Sequence, residues 1–166
     1  MSAAIHIRSV TTADCDAIRE IAYVTWQATY AGLIPDEDMQ AFLQSNYNPQ
    51  QLERTMSRLG DGFLLAEVDG AAVGYAMISR DREDNAQLWT IYVLPSEQGR
   101  GIGAALWASA CEYARQLGLT TLVLWVLEAN IPARAFYERM GASLTVQRDF
   151  PVGAGSISEV RYDLEL

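Results

Sequence analysis

Hydrophobic positions along the chain switch repeatedly between the strand and the helix period, and each switch marks a change of element. Ile5-His6-Ile7-Arg8 alternates apolar and polar side chains with the two-residue period of a strand. Beyond Thr11 or Thr12, either able to cap a helix that Asp14 strengthens, Ile18, Ile21, Ala22, Thr25 and Trp26 recur at helical spacing. Gly32 and Pro35 break that helix. Asp36 starts a second with Met39 and Leu43 inward, and Asn48-Pro49 reads as the cap and first turn of a third that runs to Leu59. At Phe63 the strand period returns: "FLLAEV" and "AAVGYAMI" flank Asp69-Gly70, a hairpin signal of type I′, and "LWTIYVL" follows after the polar "SRDREDNA". A long helix carries Ile102, Leu106, Ser109, Ala110, Tyr113 and Leu117 on one stripe and stops at Gly118. "TTLVLWVL" is apolar throughout, as a strand buried on both faces should be. A short helix between Pro132 and Gly141 and two strands, "ASLTVQRDF" and "SEVRYDLEL" around "PVGAG", complete the order β, α, α, α, β, β, β, α, β, α, β, β.

That order predicts an α/β (α+β) fold, a mixed and mostly antiparallel sheet of about seven strands flanked by helices, with a single clear βαβ crossover. The 166 residues fit one domain, 1–166, without internal repeats. Half the residues are apolar and a fifth charged, which excludes disorder and low complexity. The formal net charge of −9 argues against binding nucleic acid or an anionic membrane and favours cationic small molecules or basic peptides as partners. Cys15 and Cys111 stand far apart with no Cys/His ligand spacing, so neither a disulfide framework nor a metal site is expected. His6 belongs to the first strand as a surface residue. No apolar run is long enough to span a membrane, and the chain reads as a soluble cytoplasmic protein.

The chemistry concentrates in "QGRGIG", where Gly99, Gly101 and Gly103 stand at a helix start. Unpartnered N–H groups and the helix dipole make such a place an anion site. Gly99-x-Gly101-x-x-Ala104 also meets the dinucleotide-binding expression, with Glu128 as its ribose acid. Against that, Pro95-Ser96-Glu97-Gln98 intervene between strand and first glycine, and the βαβ unit stands alone. A P-loop lacks its Lys-Ser/Thr pair.

"LWTIYVLPSEQGRGIGAALW", with "VLEANIPARAFYERMGA" some thirty residues on, resembles the GNAT superfamily of acyl-CoA-dependent N-acetyltransferases. Gln98, Gly101 and Gly103 match its Arg/Gln-x-x-Gly-x-Gly/Ala signature, and Asn130 and Tyr137 its following Asn and Tyr. The resemblance implies that the strands "LWTIYVLP" and "TTLVLWVL" splay apart around acetyl-CoA as co-substrate. Amides from Gln98 through Gly103, including Gly99, Arg100 and Ile102, then surround the pyrophosphate, Arg100 adds charge, and Asn130 caps a helix, contacts the coenzyme arm, or does both. A main-chain N–H at Val93 or Leu94 would face the thioester oxygen. Tyr137 would protonate the leaving thiolate.

Relatives that modify protein lysines place a glutamate where this chain has Gln87, so the base is left open among water, Glu128, Asp36 and Glu37, with Glu128 preferred. The acceptor pocket is expected from "WQATYAGLIPDEDM" and the final strand pair, lined by Trp26, Tyr30 and Tyr162. The resemblance thus implies acetyl transfer to a primary amine of a small molecule or peptide in a ternary complex, and it allows a homodimer. The missing glutamate leaves a non-catalytic acyl-CoA-binding module as the alternative, ahead of a dinucleotide-binding protein.

Overall fold

The computed structural model describes residues 4–152 and 155–166. Its elements follow the predicted order: β1 (Ile5–Ser9), α1 (Cys15–Tyr30), α2 (Asp36–Asn46), α3 (Pro49–Leu59), β2 (Phe63–Val68), β3 (Ala71–Arg80), β4 (Ala86–Val93), α4 (Ile102–Gln116), β5 (Thr121–Leu127), α5 (Ile131–Arg139), β6 (Ser143–Val152) and β7 (Gly155–Glu165). The last two strands take in Pro151, Val152 and Gly155 of "PVGAG", leaving Gly153 and Ala154 outside the described residues. β4 likewise starts two residues before the apolar run, because Ala86 and Gln87 pair with Arg80 and Ser79.

Local signals account for most boundaries. Asp69 and Gly70 both take positive φ, 51° and 79°, as a type I′ turn requires, and join β2 to β3. Asn48 caps α3 by accepting from Gln51 N–H at 2.9 Å, with Pro49 in the first turn. Asp14 accepts from both the N–H and the hydroxyl of Thr11 (2.7 and 3.0 Å), starting the 3-10 turn Thr12–Asp14 that leads into α1.

The strands form one sheet in the order β1-β2-β3-β4-β5-β7-β6, antiparallel except for β4 and β5. Its two faces carry separate cores. Ile18, Ile21, Trp26, Met39, Leu43 and Leu52 of α1 to α3 bury one face, over Phe63, Leu65, Tyr75 and Met77. Ile102, Leu106, Trp107 and Ala110 of α4, with Tyr137 of α5, bury the other, over Leu64, Ala76, Leu88, Leu122 and Leu124. No helix among the described residues is long and apolar enough to cross a membrane.

One ion-pair cluster ties the first strand to the first helix. Arg8 holds Asp14 through both guanidinium amino groups at 2.8 Å and reaches Glu67 of β2 at 2.7 Å. Arg8, together with the Thr11 donors, pulls the nearly buried Asp14 carboxyl down to about 2. A carboxyl lowered on folding contributes stability above its unfolded value, near ~3.9, and loses it as the pH falls through the folded value. Asp14→Asn is therefore expected to reduce unfolding free energy by about 1–3 kcal/mol at pH 7. In urea titrations the gap between variant and wild type should close as the pH falls from about 4 toward about 2.

Candidate active site

β4 and β5 pair only at Ala86–Leu122, Gln87–Val123 and Leu88–Leu124. Beyond that point each strand keeps its outer partner and leaves the other. β4 stays on β3 as far as Val93–Gly74, across a bulge that inserts Trp89 between the Ile78–Leu88 and Met77–Thr90 pairs. β5 stays on β7 to Leu127–Glu159. A cleft opens between them.

The hydrogen-bond pattern fixes which main-chain groups of β4 face that cleft. Leu94 N–H donates to the Val73 carbonyl at 2.9 Å. Gly74 and Val93 are thus a non-hydrogen-bonded pair, and the N–H and C=O of Val93 turn away from β3 toward β5. Of the two expected donors, Leu94 is consumed by the sheet and Val93 is presented. The Val93 carbonyl accepts from Gln98 Nε2 at 3.1 Å, which ties the glycine loop to the end of the strand.

The three glycines of the loop have different reasons. Gly99 and Gly101 adopt φ of +75° and +84°, and Gly101 is the left-handed residue from which α4 starts. Gly103 lies inside the first turn, where a Cβ would stand 3.3 Å from the Phe136 ring of α5. The first intrahelical bond runs from Ala105 N–H to Gly101 C=O (3.0 Å), so the amides of Ile102, Gly103 and Ala104 point out of the helix end. Arg100 pairs with Glu97 within the loop, so its charge is offset by a neighbour rather than free for an anion.

On the other lip, Asn130 caps α5 by accepting from Ala133 N–H at 3.3 Å. Tyr137, about two turns further on, is buried against Trp107, Phe136 and Tyr162, with ring centroids at 5.8, 5.4 and 6.2 Å. Burial, reinforced by the neighbouring Tyr92 phenol, pushes the Tyr137 phenol above its ordinary value, so it stays protonated at neutral pH. Glu128 is half-buried in the turn before α5, its carbonyl accepting from Arg134 at 3.0 Å. Gln87 sits in the still-paired part of β4, where Nε2 donates to the Leu88 carbonyl at 3.2 Å.

These features coincide with known proteins. The sequence model of the acetyltransferase (GNAT) family matches residues 17–142. The chain belongs to that family. An uncharacterized N-acetyltransferase of Bacillus subtilis, YuaI, is 25% identical over 159 residues, 92% of this chain and 90% of its own. A spermidine N(1)-acetyltransferase of Thermoplasma acidophilum is 26% identical over 141 residues, 82% of this chain and 87% of its own. The PaiA N-acetyltransferase from Thermoplasma acidophilum, solved with coenzyme A, superposes with a TM-score of 0.80 at 24% identity, covering 94% of this chain and 98% of that one.

Within this GNAT domain the expected acceptor residues separate. Trp26 and Tyr30 of α1 meet, with ring centroids 4.5 Å apart, and Phe42 of α2 stacks on Trp26 at 4.4 Å. Tyr162 is fully buried among the α4–α5 core instead. Its hydroxyl accepts from Arg134 Nε (3.2 Å) and donates to Glu138 (2.7 Å), so it clamps α5 behind Tyr137 and does not join Trp26. The box around Trp26 is completed by residues that sequence reasoning missed: Tyr47, Tyr75 and Tyr92, with the Tyr75 hydroxyl donating to Tyr47 at 2.7 Å and the Tyr75 and Tyr92 rings at 5.6 Å. A signal existed in the period-two pattern of β4. Ile91 and Val93 pack with the α4 core, which turns Thr90 and Tyr92 to the α1 face.

Gly103→Val should therefore act through α5. The added side chain meets Phe136 and is expected to cost about 1–3 kcal/mol in denaturant unfolding. Gly103→Ala, whose single carbon is met only by a ring edge, should cost less than half of that.

Proposed function

We propose that this GNAT protein transfers an acetyl group from acetyl-CoA to a primary amine by direct attack in a ternary complex. The observation that carries the reading is the parted β4–β5 pair, with the Val93 N–H aimed into the gap and Tyr137 buried on its far lip. The coenzyme A seen with the structural relative supports the choice of donor.

Acetyl-CoA supplies an activated thioester and a thiolate leaving group. The amides from Gly99 to Gly103 and the positive end of α4 receive its pyrophosphate, with Gln98 holding the loop in place and Asn130 flanking the arm. Val93 N–H donates to the carbonyl oxygen as negative charge develops there, in a site where a fixed donor needs no reorganisation. The amine nitrogen bonds to the carbonyl carbon as the carbon–sulfur bond breaks, and Tyr137 gives its phenolic proton to the departing sulfur. The amine's proton leaves toward Glu128, the carboxylate at the carboxyl end of β5, and Tyr137 recovers a proton from solvent. A non-catalytic acyl-CoA-binding module would need the gap and the loop but not a buried, protonated tyrosine.

Tyr137→Phe tests this directly. Turnover, followed by free thiol release, is expected to fall by about 10²-fold or more, the usual contribution of a positioned acid. The dissociation constant for acetyl-CoA should stay within about twofold, since the phenol makes no pyrophosphate contact. Unchanged turnover removes Tyr137 from the mechanism. Acetyl-CoA binding without thiol release from any amine in a broad panel selects the binding module.

A further inference from the structure

The helix that carries Tyr137 is weakly held at its start. α5 has nine residues, and its first turn offers the core little, since Ile131 is 61% exposed and Pro132 is exposed as well. Its apolar contacts come later, from Ala133, Phe136, Tyr137 and Met140 packed on the α4 core. The strand leading into it is bound on one side only. β5 has left β4 after Leu124, and its last main-chain bonds run to β7, through the Leu127–Glu159 pair and from Glu128 N–H to the Ser158 carbonyl at 2.9 Å. Ring contacts with Trp107, Phe136 and Tyr162 fix Tyr137 relative to α5 and the core, but the depth of its hydroxyl on the lip follows the setting of the whole helix.

One half-buried side chain joins the three parts that meet there. Arg134, in the first half of α5, donates from Nε to the Tyr162 hydroxyl of β7 at 3.2 Å and from an amino group to the Glu128 carbonyl beyond β5 at 3.0 Å. Tyr162 is fully buried and passes the link on, donating to the carboxylate of Glu138, the residue after Tyr137, at 2.7 Å. Both ends of the segment from Glu128 to Glu138 are therefore bonded to the same Arg134–Tyr162 pair. Only a guanidinium serves this place. Its donors are spread over a rigid plane and reach two acceptors on different elements, whereas a lysine ammonium puts all its donors on one nitrogen at the end of a flexible stem.

We propose that Arg134 is the positioning residue for the acid: it sets α5 between the free end of β5 and β7, and so places the Tyr137 phenol at the departing sulfur. Without the fork, Phe136 and Met140 still pack on the α4 core, but the helix pivots at the Glu128–Asn130 turn. A displacement of about 1 Å at a reacting group is enough to cost about 10²-fold in rate. The glycine loop and the Val93 amide belong to β4 and α4, which the guanidinium does not touch, so coenzyme binding is spared. This inference rests on the acetyl-transfer reading above and deepens it.

The test follows thiol release from acetyl-CoA with the amine of the panel above that turns over fastest. Arg134→Gln should lower kcat by about 10- to 100-fold. The dissociation constant for acetyl-CoA, measured by calorimetry, should stay within about twofold, the split expected when only the transition state is affected. Arg134→Lys keeps the charge and loses the fork, so its kcat should lie closer to that of Arg134→Gln than to wild type. Tyr162→Phe breaks the link from β7 and should cost about 3- to 10-fold, the worth of a hydrogen bond or so. The deciding readout is the same change made in Tyr137→Phe. There Arg134→Gln should remove no more than about a further twofold, because an absent acid cannot be misplaced. Should Arg134→Gln fail to fold, as judged by its melting transition, Arg134→Lys and Tyr162→Phe carry the same cycle. Unchanged kcat in the folded variants, an equal loss with and without the Tyr137 phenol, or weakened acetyl-CoA binding at unchanged kcat overturns the proposal and leaves acetyl transfer standing. Wild-type turnover by Tyr137→Phe alone removes the acid, and this inference with it. Absence of thiol release with every amine overturns the acetyl-transfer reading as well.

Discussion

A parallel strand pair that starts and then stops is the constraint on which the molecule is built. Main-chain N–H and C=O groups inside a sheet are normally paired, and leaving them without partners is costly. Here β4 and β5 separate after Leu88 and Leu124. The opening is tolerable because neither strand is alone: β3 holds one and β7 the other along their whole length. The unpaired groups of β4 form an edge in the middle of a sheet, where water is limited and the geometry is fixed by the strand behind. The glycine loop, tied back to Val93 by Gln98, sets the amino-terminal end of α4 beside that edge.

Because side chains alternate across a strand, β4 serves two compartments at once. Ile91 and Val93 belong to the core shared with α4 and α5, whereas Tyr92 and Leu94 belong to the core shared with α1, α2 and α3. One side of β4 is therefore the province of α4 and α5, with Tyr137 held in place by Trp107, Phe136 and the Tyr162 clamp. The other side is an aromatic box whose walls come from α1, α2 and the Tyr47 that follows it, β3 and β4. In the proposed reaction the two reactants would meet through the gap, each side of which has its own packed support.

The elements and the loop were legible in the chain because their signals are local. A type I′ turn needs positive φ at two adjacent residues, which Asp69-Gly70 permits, and a helix cap needs a side-chain acceptor, which Asn48 and Asn130 supply. Gly101 announces a left-handed helix start in the same way. Gly103 shows the limit of such reading. In the sequence it is a third glycine of an anion loop, and in the structure it also makes room for Phe136.

The sequence alone determined the order of elements, the family resemblance and the glycine-led start of α4, since each is written in residue type and short spacing. Only the tertiary structure decided between Val93 and Leu94, because that choice depends on whether an amide is taken by β3. It moved Tyr162 from the acceptor pocket to the support of α5, because a tyrosine on a central strand goes wherever its face of the sheet is covered. It also gathered the Trp26 indole, the Thr90 hydroxyl and the Tyr30 phenol around the Tyr92 phenol, a juxtaposition no spacing can carry, because it depends on every neighbour that folding brings within about 3.5 Å, the limit of a hydrogen bond.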